Sequence, residues 1–222
     1  MTQSERRKRA PGIGARLYSA WLIGGWKIIL FAPVWLVSRR FLVIEKNIDE
    51  VPEGQAPVHL VWERLSGTAL EGLALINPLL RPEEIRRRDD AGQICYACRI
   101  EGQIVHYRWY AESPVYLPFL RLTWEPLPGD YTILDVYTRP EVRGRGIHTM
   151  LGQSGAARAR ELGLKRVVSF IAWWNIPSLR VARAGGVKES GSVTLWNLGF
   201  ARFHTTSGTV RIQDGRIRVP KE

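Results

Sequence analysis

The chain has 222 residues, of which 45% are hydrophobic and 24% charged, as in a folded protein. Its formal net charge is +11, concentrated in 1–46, with nine Lys or Arg against two Asp or Glu, and in 141–222, with fourteen against five. No helix-turn-helix, zinc pattern or basic-aromatic alternation accompanies this charge, so nucleic acid is not predicted as a partner. An anionic small molecule and an anionic membrane surface explain the charge more economically.

The two cysteines, Cys95 and Cys98, lie three residues apart in a predicted strand. Such residues point to opposite faces of a sheet, and neither a second cysteine pair nor a nearby histidine accompanies them. They are predicted to be packed thiols of a reducing cytoplasm, and no metal site is expected.

The N-terminus is basic and hydrophobic. The basic cluster 6–9 precedes an apolar, tryptophan-rich stretch, 17–37, which is followed by two more arginines, 39–40. Lys27 lies near the middle of this stretch and would cost about 2.5–3.5 kcal/mol at the centre of a bilayer, and a signal peptide is disfavoured by the length of the stretch. Two interpretations remain: an interfacial or re-entrant anchor that places residues 6–40 at an anionic membrane surface, or helices packed on the domain or on a partner subunit.

The first strand or linker is predicted at 41–45, and a connection rich in proline and glycine follows at 47–57. The domain boundary is placed there. Residues 1–46 are therefore predicted to be a helical extension, and 47–222 the folded domain.

The first half of the domain reads as alternating short elements: a strand at 58–64, helices at 68–76 and 82–88, a β-hairpin at 93–110 and a short strand at 119–124. The three arginines that end the second helix, Arg86 to Arg88, are interpreted as a solvated helix end.

The most informative stretch begins with a predicted strand at 131–138. A breaker, Arg139-Pro140, and a basic, glycine-containing turn, 143–146, follow, and a helix is predicted from 147 to 162. Backbone N–H groups of such a turn and the positive end of the helix dipole form an anion site.

A second strand is predicted at 165–172, and Asn175 and Pro177 then open a helix that ends at two glycines, 185–186. A long strand at 192–204 and a hairpin at 209–219 complete the chain.

This order of elements, with the pattern V-x-x-x-P-x-x-R-G-x-G-I and a later N-x-P-S, resembles the acyl-coenzyme A binding core of the GNAT superfamily of N-acetyltransferases over residues 136–186. The resemblance implies a mixed α/β (α+β) fold with a mostly antiparallel sheet, a splayed central strand pair and flanking helices. It also implies acetyl-CoA or coenzyme A as cofactor, without a metal. The residues that would bind it are Val136, Thr138, Arg143, Gly144, Arg145, Gly146, Ile147, His148, Asn175 and Ser178.

Two positions depart from the family pattern. His148 replaces a small residue at the end of the turn, so its side chain must either turn away from the phosphates or touch them. Ala182 stands where the family often has a tyrosine that protonates the leaving thiolate, which leaves the chain without that acid.

Amine acylation needs a general base, and the carboxylates of Asp135, in the central strand, and Asp130, at its start, are the candidates. Tyr137, His106 and Glu112 are the other side chains that could face the acceptor.

The resemblance thus implies an acyl-CoA dependent N-acyltransferase of the cytoplasm, and the basic, hydrophobic extension suggests association with the inner face of the cytoplasmic membrane as one of its two interpretations. The hydrophobic extension favours an acceptor such as an amino sugar of a surface glycan. A protein or small amine as acceptor, and a catalytically silent coenzyme A or membrane-binding module, remain alternatives, and a homodimer is left open.

Overall fold

The computed structural model describes residues 37–53 and 61–221. The basic cluster 6–9 and all but the last residue of the apolar stretch 17–37 lie outside these ranges, so the N-terminal helical extension stays a prediction. Within the described ranges, no helix is long and apolar enough to cross a bilayer.

Twelve strands, four α-helices and three short 3₁₀-helices form the regular structure of the described residues. The strands are β1 (Ser38–Asn47), β2 (Val61–Leu65), β3 (Ile94–Ile100), β4 (Gln103–Ala111), β5 (Val115–Leu117), β6 (Leu122–Trp124), β7 (Asp130–Thr138), β8 (Arg166–Ala172), β9 (Lys188–Asn197), β10 (Arg202–Gly208), β11 (Arg211–Gln213) and β12 (Arg216–Arg218). The helices are α1 (Gly72–Ile76), α2 (Pro82–Asp90), α3 (Ile147–Glu161) and α4 (Ile176–Ala184).

Eight strands form the main sheet in the order β10-β9-β1-β8-β7-β4-β3-β2. Neighbours are antiparallel except β7 and β8, which are parallel, so the predicted mostly antiparallel sheet is confirmed. Leucines of the α1–α2 region pack on one face, against Tyr107 and Trp109, while Leu151 and Ala156 of α3 pack on the other. Cys95 and Cys98 are free, buried and divided between these two faces, as predicted.

Strand β1 is an interior strand of this sheet. Its residues Phe41–Asn47 pair with β8, and Ser38–Glu45 pair with β9. The sheet therefore begins at Ser38, before the boundary that the sequence predicts at residue 47. The local pattern predicted a strand or a linker here and could not show that two later strands hydrogen-bond to it.

A smaller sheet, in the order β11-β12-β6-β5, was not foreseen. Its side chains share a core with Val43, Val168 and Val193 of the main sheet, so it covers the β1, β8 and β9 part of one face. The predicted hairpin at 209–219 supplies two of its strands. The single strand predicted at 192–204 is wrong: β9 and β10 form a hairpin, with Gly199 at φ +82° in the turn between them.

A buried ion cluster links residues 219–220 to the main sheet. The Arg166 guanidinium lies 2.6 Å from a carboxylate oxygen of Asp130 and 2.6 Å from one of Glu45. It also donates to the carbonyl oxygens of Val219 (2.7 Å) and Pro220 (3.1 Å). Asp130 is 3% exposed and has both carboxylate oxygens engaged by Arg166. This arrangement favours a structural role for Asp130 over its predicted role as a general base.

Replacing Asp130 by asparagine is expected to lower the free energy of unfolding by about 1.5–3 kcal/mol, because Arg166 loses charge-assisted hydrogen bonds to one of its two carboxylates while Glu45 still pairs with it. Urea unfolding measures the loss. Glu125→Gln, which removes a carboxylate that pairs with the half-exposed Arg216 and Arg218, is the control and should change stability less. A folded Asp130→Asn protein should retain its turnover number; a turnover number reduced without loss of folded protein would return Asp130 to the catalytic candidates.

Candidate active site

The two parallel strands at the centre of the sheet separate partway along their length. β7 and β8 pair over 130–133 and 166–169 only, although β7 continues to Thr138 and β8 to Ala172. At the same level the register between β4 and β7 shifts, leaving Leu134 without a partner residue on β4. This bulge turns β7 away from β8, and the predicted splayed strand pair is therefore present. A slot opens between the ends of the two strands.

The basic turn lies at the open end of this slot. Gly144 and Gly146 adopt φ of +77° and +74°, in the left-handed region that glycine enters without strain. A Cβ built on either glycine would meet no atom within 4 Å, so the backbone faces open space. Gly146 is the N-cap of α3 and has no side chain to cap the helix, whose first N–H groups lack intrahelical partners. The turn can therefore accept a phosphate group.

Side chains hold the turn against the end of β7. Arg143 donates from Nε to the carbonyl oxygen of Thr138 (3.0 Å), and its guanidinium carbon lies 5.9 Å from the ring centroid of Tyr137. Ile147, the first residue of α3, is 4% exposed and belongs to the core beneath the helix. Arg145 is exposed.

The second predicted motif reaches the same edge of the sheet. Asn175 caps α4, accepting a hydrogen bond from the Ser178 backbone N–H (3.3 Å). Because β7 and β8 are parallel, the turns that follow them, and hence the first residues of α3 and α4, lie at one edge. The structure thus brings the predicted cofactor residues of both motifs to the mouth of the slot.

The two faces of β7 carry different groups. Asp135 and Tyr137 share a face with Tyr107, whose hydroxyl lies 3.3 Å from an Asp135 oxygen and whose ring stacks on Tyr137. Thr138 faces α3, and its hydroxyl lies 2.8 Å from Nδ1 of His106. The α1–α2 side of the slot therefore carries the acidic group.

Asp135 is the predicted base that the structure leaves accessible, with 29% of its side chain exposed. Its Oδ2 accepts from the Tyr107 hydroxyl, which accepts in turn from the Asn77 amide (2.6 Å). Burial, and then the Asp135 charge, raise the pKa of Tyr107, so this phenol stays protonated and donates. Arg88 Nη1 lies 3.6 Å from Asp135 Oδ2.

Arg88 was missed by the sequence analysis, which placed it on a solvated helix end. Only 13% of its side chain is exposed. Its Nε donates to Glu84 (2.9 Å), and its guanidinium carbon lies 5.5 Å from the centroid of Trp109. Nη1 is buried without a hydrogen-bond partner among the described residues. No local pattern distinguishes Arg88 from its exposed neighbour Arg86, because the fold of α2 over Trp109 decides which arginine turns inward.

A cluster of two histidines and an arginine lies under the start of α3. Arg108 is 3% exposed, donates from Nε to His106 Nε2 (3.1 Å) and donates to the His148 carbonyl oxygen. The rings of His106 and His148 lie 5.9 Å apart, so the His148 side chain packs toward the sheet and away from the open side of the turn. His106 is fully buried on this face, which rules out the acceptor-facing position considered for it.

Burial and the Arg108 charge lower the pKa of His106 to about 2 and that of His148 to about 3. Both are neutral in the folded protein, whereas in the unfolded chain they take up protons near pH 6.5. Below that pH the unfolded state therefore binds more protons than the folded state. The free energy of unfolding is expected to fall as the pH drops from 6.5 toward 3. The fall is up to about 1.4 kcal/mol per pH unit for each histidine. Urea unfolding at several pH values measures this slope, which His106→Gln should reduce. An unchanged slope would contradict the assignment.

The sequence profile of the acetyltransferase (GNAT) family matches residues 59–186, more than half of the chain. No curated protein matches the chain significantly. Within the described ranges, no group of three or more His, Cys, Asp or Glu side chains is placed to hold a metal ion.

Three solved structures share the fold at low sequence identity. A GNAT-family acetyltransferase of Novosphingobium aromaticivorans has a TM-score of 0.51 at 18% identity, with 71% of this chain and 62% of that chain covered. A Staphylococcus epidermidis protein of unknown function has a TM-score of 0.52 at 10% identity, with 76% and 65% covered. A Drosophila protein has a TM-score of 0.50 at 10% identity, with 76% and 55% covered. The chain thus spans 55–65% of the length of these three proteins.

The profile match covers the slot, the basic turn and the first residues of α4, the features on which the resemblance rested. The predicted superfamily is therefore confirmed, and the chain belongs to the acetyltransferase (GNAT) family.

Proposed function

We propose that the chain is an N-acetyltransferase that transfers an acyl group, by default acetyl, from acyl-coenzyme A to a primary amine. One observation carries the proposal: the slot between the parallel strands β7 and β8 opens directly onto an uncapped helix N-terminus behind a glycine turn. Such a turn binds phosphate. The adjoining slot is open between the edges of two strands, and the extended arm of coenzyme A fits between them.

The chain's own groups can perform each binding step. Backbone N–H groups of 144–148 would hold the pyrophosphate, with Arg143 and Arg145 adding positive charge. Backbone groups of Val136 and Thr138 lie along the separated edge of β7, where one N–H would stabilise the oxyanion that develops on the thioester carbonyl. Asn175 and Ser178 border the other side of the slot.

Asp135 would act as the general base. Bound thioester supplies the acyl group, and the acceptor amine attacks its carbonyl carbon as the carbon–sulfur bond breaks. The proton lost by the amine passes to Asp135, directly or through water, and the thiolate leaves. Arg88 and Tyr107 hold the Asp135 carboxylate in place by charge and by a hydrogen bond. With Ala182 on α4, this chain has no phenol there to protonate the thiolate.

The acceptor that we propose is an amino sugar of a surface glycan or of its membrane-bound precursor. The apolar, tryptophan-rich stretch 17–37 and its flanking arginines support an acceptor that is met at the inner face of the cytoplasmic membrane. A protein or small amine is the alternative acceptor. Ala182 favours one further candidate, a silent module that binds coenzyme A without turnover.

Calorimetric titration of acetyl-CoA and free coenzyme A into the full chain tests the proposal, together with release of free thiol in the presence of amino sugars, peptides and polyamines. We expect micromolar binding of both nucleotides and acceptor-dependent thiol release. Binding without thiol release for any acceptor would favour the silent module, and a folded protein that binds neither nucleotide would overturn both.

A further inference from the structure

The β9–β10 hairpin projects from the same edge of the sheet as the slot. β1 runs antiparallel to both β8 and β9, with Phe41 opposite Ala172 and Ser38 opposite Trp196. The C-terminal ends of β8 and β9 therefore lie at one edge. The hairpin turn at this edge is 198–201, closed by a hydrogen bond from the Leu198 N–H to the Ala201 carbonyl oxygen (2.9 Å).

The hairpin tip, 198–201, exposes apolar side chains. Phe200 is 92% exposed and Leu198 40%. Val37, where the chain enters β1 beside the tip, is 40% exposed, and Ile176, at the start of α4 on the same edge, is 52% exposed. Several exposed apolar side chains at one edge, with Phe200 at its tip, are typical of an interaction surface, so this tip fits a surface that removes it from water.

Arginines surround the base of the tip. Arg39, Arg121 and Arg202 line one recess together with Val37, and none of the residues that line this recess is acidic. Arg202 is fixed by a hydrogen bond from its Nε to the Asn197 side-chain oxygen (3.0 Å). An apolar tip with a basic base matches a bilayer surface, where acyl chains lie beneath anionic phosphates.

We propose that the hairpin tip inserts into the interface of an anionic membrane, with Arg39, Arg121 and Arg202 at the level of the lipid phosphates. The stretch 17–37, for which the sequence allows a membrane anchor, joins the fold at Val37, beside the tip. Such an anchor and the tip would therefore meet the same leaflet. The open edge of the β7–β8 slot then faces the bilayer. The contact between the hairpin tip and the membrane does not depend on the proposed function. The proposed function concerns only the reaction that the slot would carry out at the membrane.

A labelled cysteine tests insertion directly. Cys95 and Cys98 are 1% and 0% exposed, so the new thiol of Ala201→Cys, a variant that keeps Phe200, can be labelled selectively with an environment-sensitive fluorophore. The control is Leu162→Cys: Leu162 is 49% exposed and lies at the end of α3, at the opposite edge of the sheet. Full-length protein is mixed with vesicles of phosphatidylglycerol and phosphatidylcholine in equal parts, or of phosphatidylcholine alone.

The expected result is a blue-shifted, several-fold brighter emission from the label at 201 on anionic vesicles, little change on phosphatidylcholine, and none from the label at 162. Phe200→Ser should weaken partitioning by on the order of tenfold, and Arg202→Glu should reduce the preference for anionic lipid. A label at 201 that stays in water on sedimented vesicles would overturn the proposal. A label at 201 that is already in an apolar environment without vesicles would also overturn it, since the chain itself would then cover the tip. The coenzyme A titration is independent, so failure of either idea leaves the other measurable.

Discussion

Gly146→Asp is expected to weaken binding of coenzyme A by at least about 100-fold. The new carboxylate would stand at the N-terminus of α3, where the pyrophosphate is proposed to bind. Lost charge-assisted hydrogen bonds account for about 1.5–3 kcal/mol and repulsion between the anions for about 1 kcal/mol more, and 1.4 kcal/mol corresponds to a factor of ten. Calorimetric titration with free coenzyme A measures the change.

The control for this variant is Gly146→Asn, which has nearly the same shape without the charge. Both residues must adopt φ near +74°, and the space around the glycine is open, so both variants should fold with a similar small loss of stability. We expect the asparagine variant to bind markedly better than the aspartate variant. S-acetyl-pantetheine, which lacks the pyrophosphate, should be used equally by both. Equal losses of coenzyme A binding in the two variants would show that the turn acts by shape alone and would contradict a phosphate site.

The turn could be predicted because the signals for it are local. β-branched and aromatic residues define β7, glycines with positive φ define the turn, and apolar periodicity defines α3. The predicted helix, 147–162, differs from the observed Ile147–Glu161 by one residue. The separation of β7 from β8 was expected from the family resemblance, not from the residues themselves.

The structural role of Asp130 could not be predicted, because its partner Arg166 lies far along the chain and the pair becomes buried only when Glu45 and the chain end close over it. The interior position of β1 in the main sheet could not be predicted for the same reason, because its partner strands β8 and β9 also lie far along the chain. Arg88 shows a further limit: one helix end carries exposed and buried arginines, and only the packing of α2 on Trp109 separates them. Sequence therefore predicted the local structure of the glycine turn better than the long-range contacts of the charged residues around it.

Asp135→Asn is expected to lower the turnover number by about 10²–10⁴-fold while leaving coenzyme A binding unchanged, because it removes a general base and no contact of the phosphate turn. Asparagine has the shape of aspartate, and its carbonyl oxygen can still accept from the Tyr107 hydroxyl. The loss should therefore appear in kcat and not in stability. Steady-state kinetics with the best acceptor amine of the panel, beside urea unfolding, measures both.

Varying the pKa of the acceptor amine provides a sharper control for a general base. A protonated amine needs a base before it can attack, whereas an acceptor whose amine is already neutral at the assay pH does not. The Asp135→Asn defect should therefore shrink with an acceptor of low amine pKa, such as a hydrazine, and at alkaline pH. Arg88→Met, which removes the neighbouring charge but keeps the carboxylate, should lower kcat less and should keep the full dependence on amine pKa. A defect of Asp135→Asn that is equal for all amines would mean that the carboxylate positions the acceptor and that the proton leaves by another route.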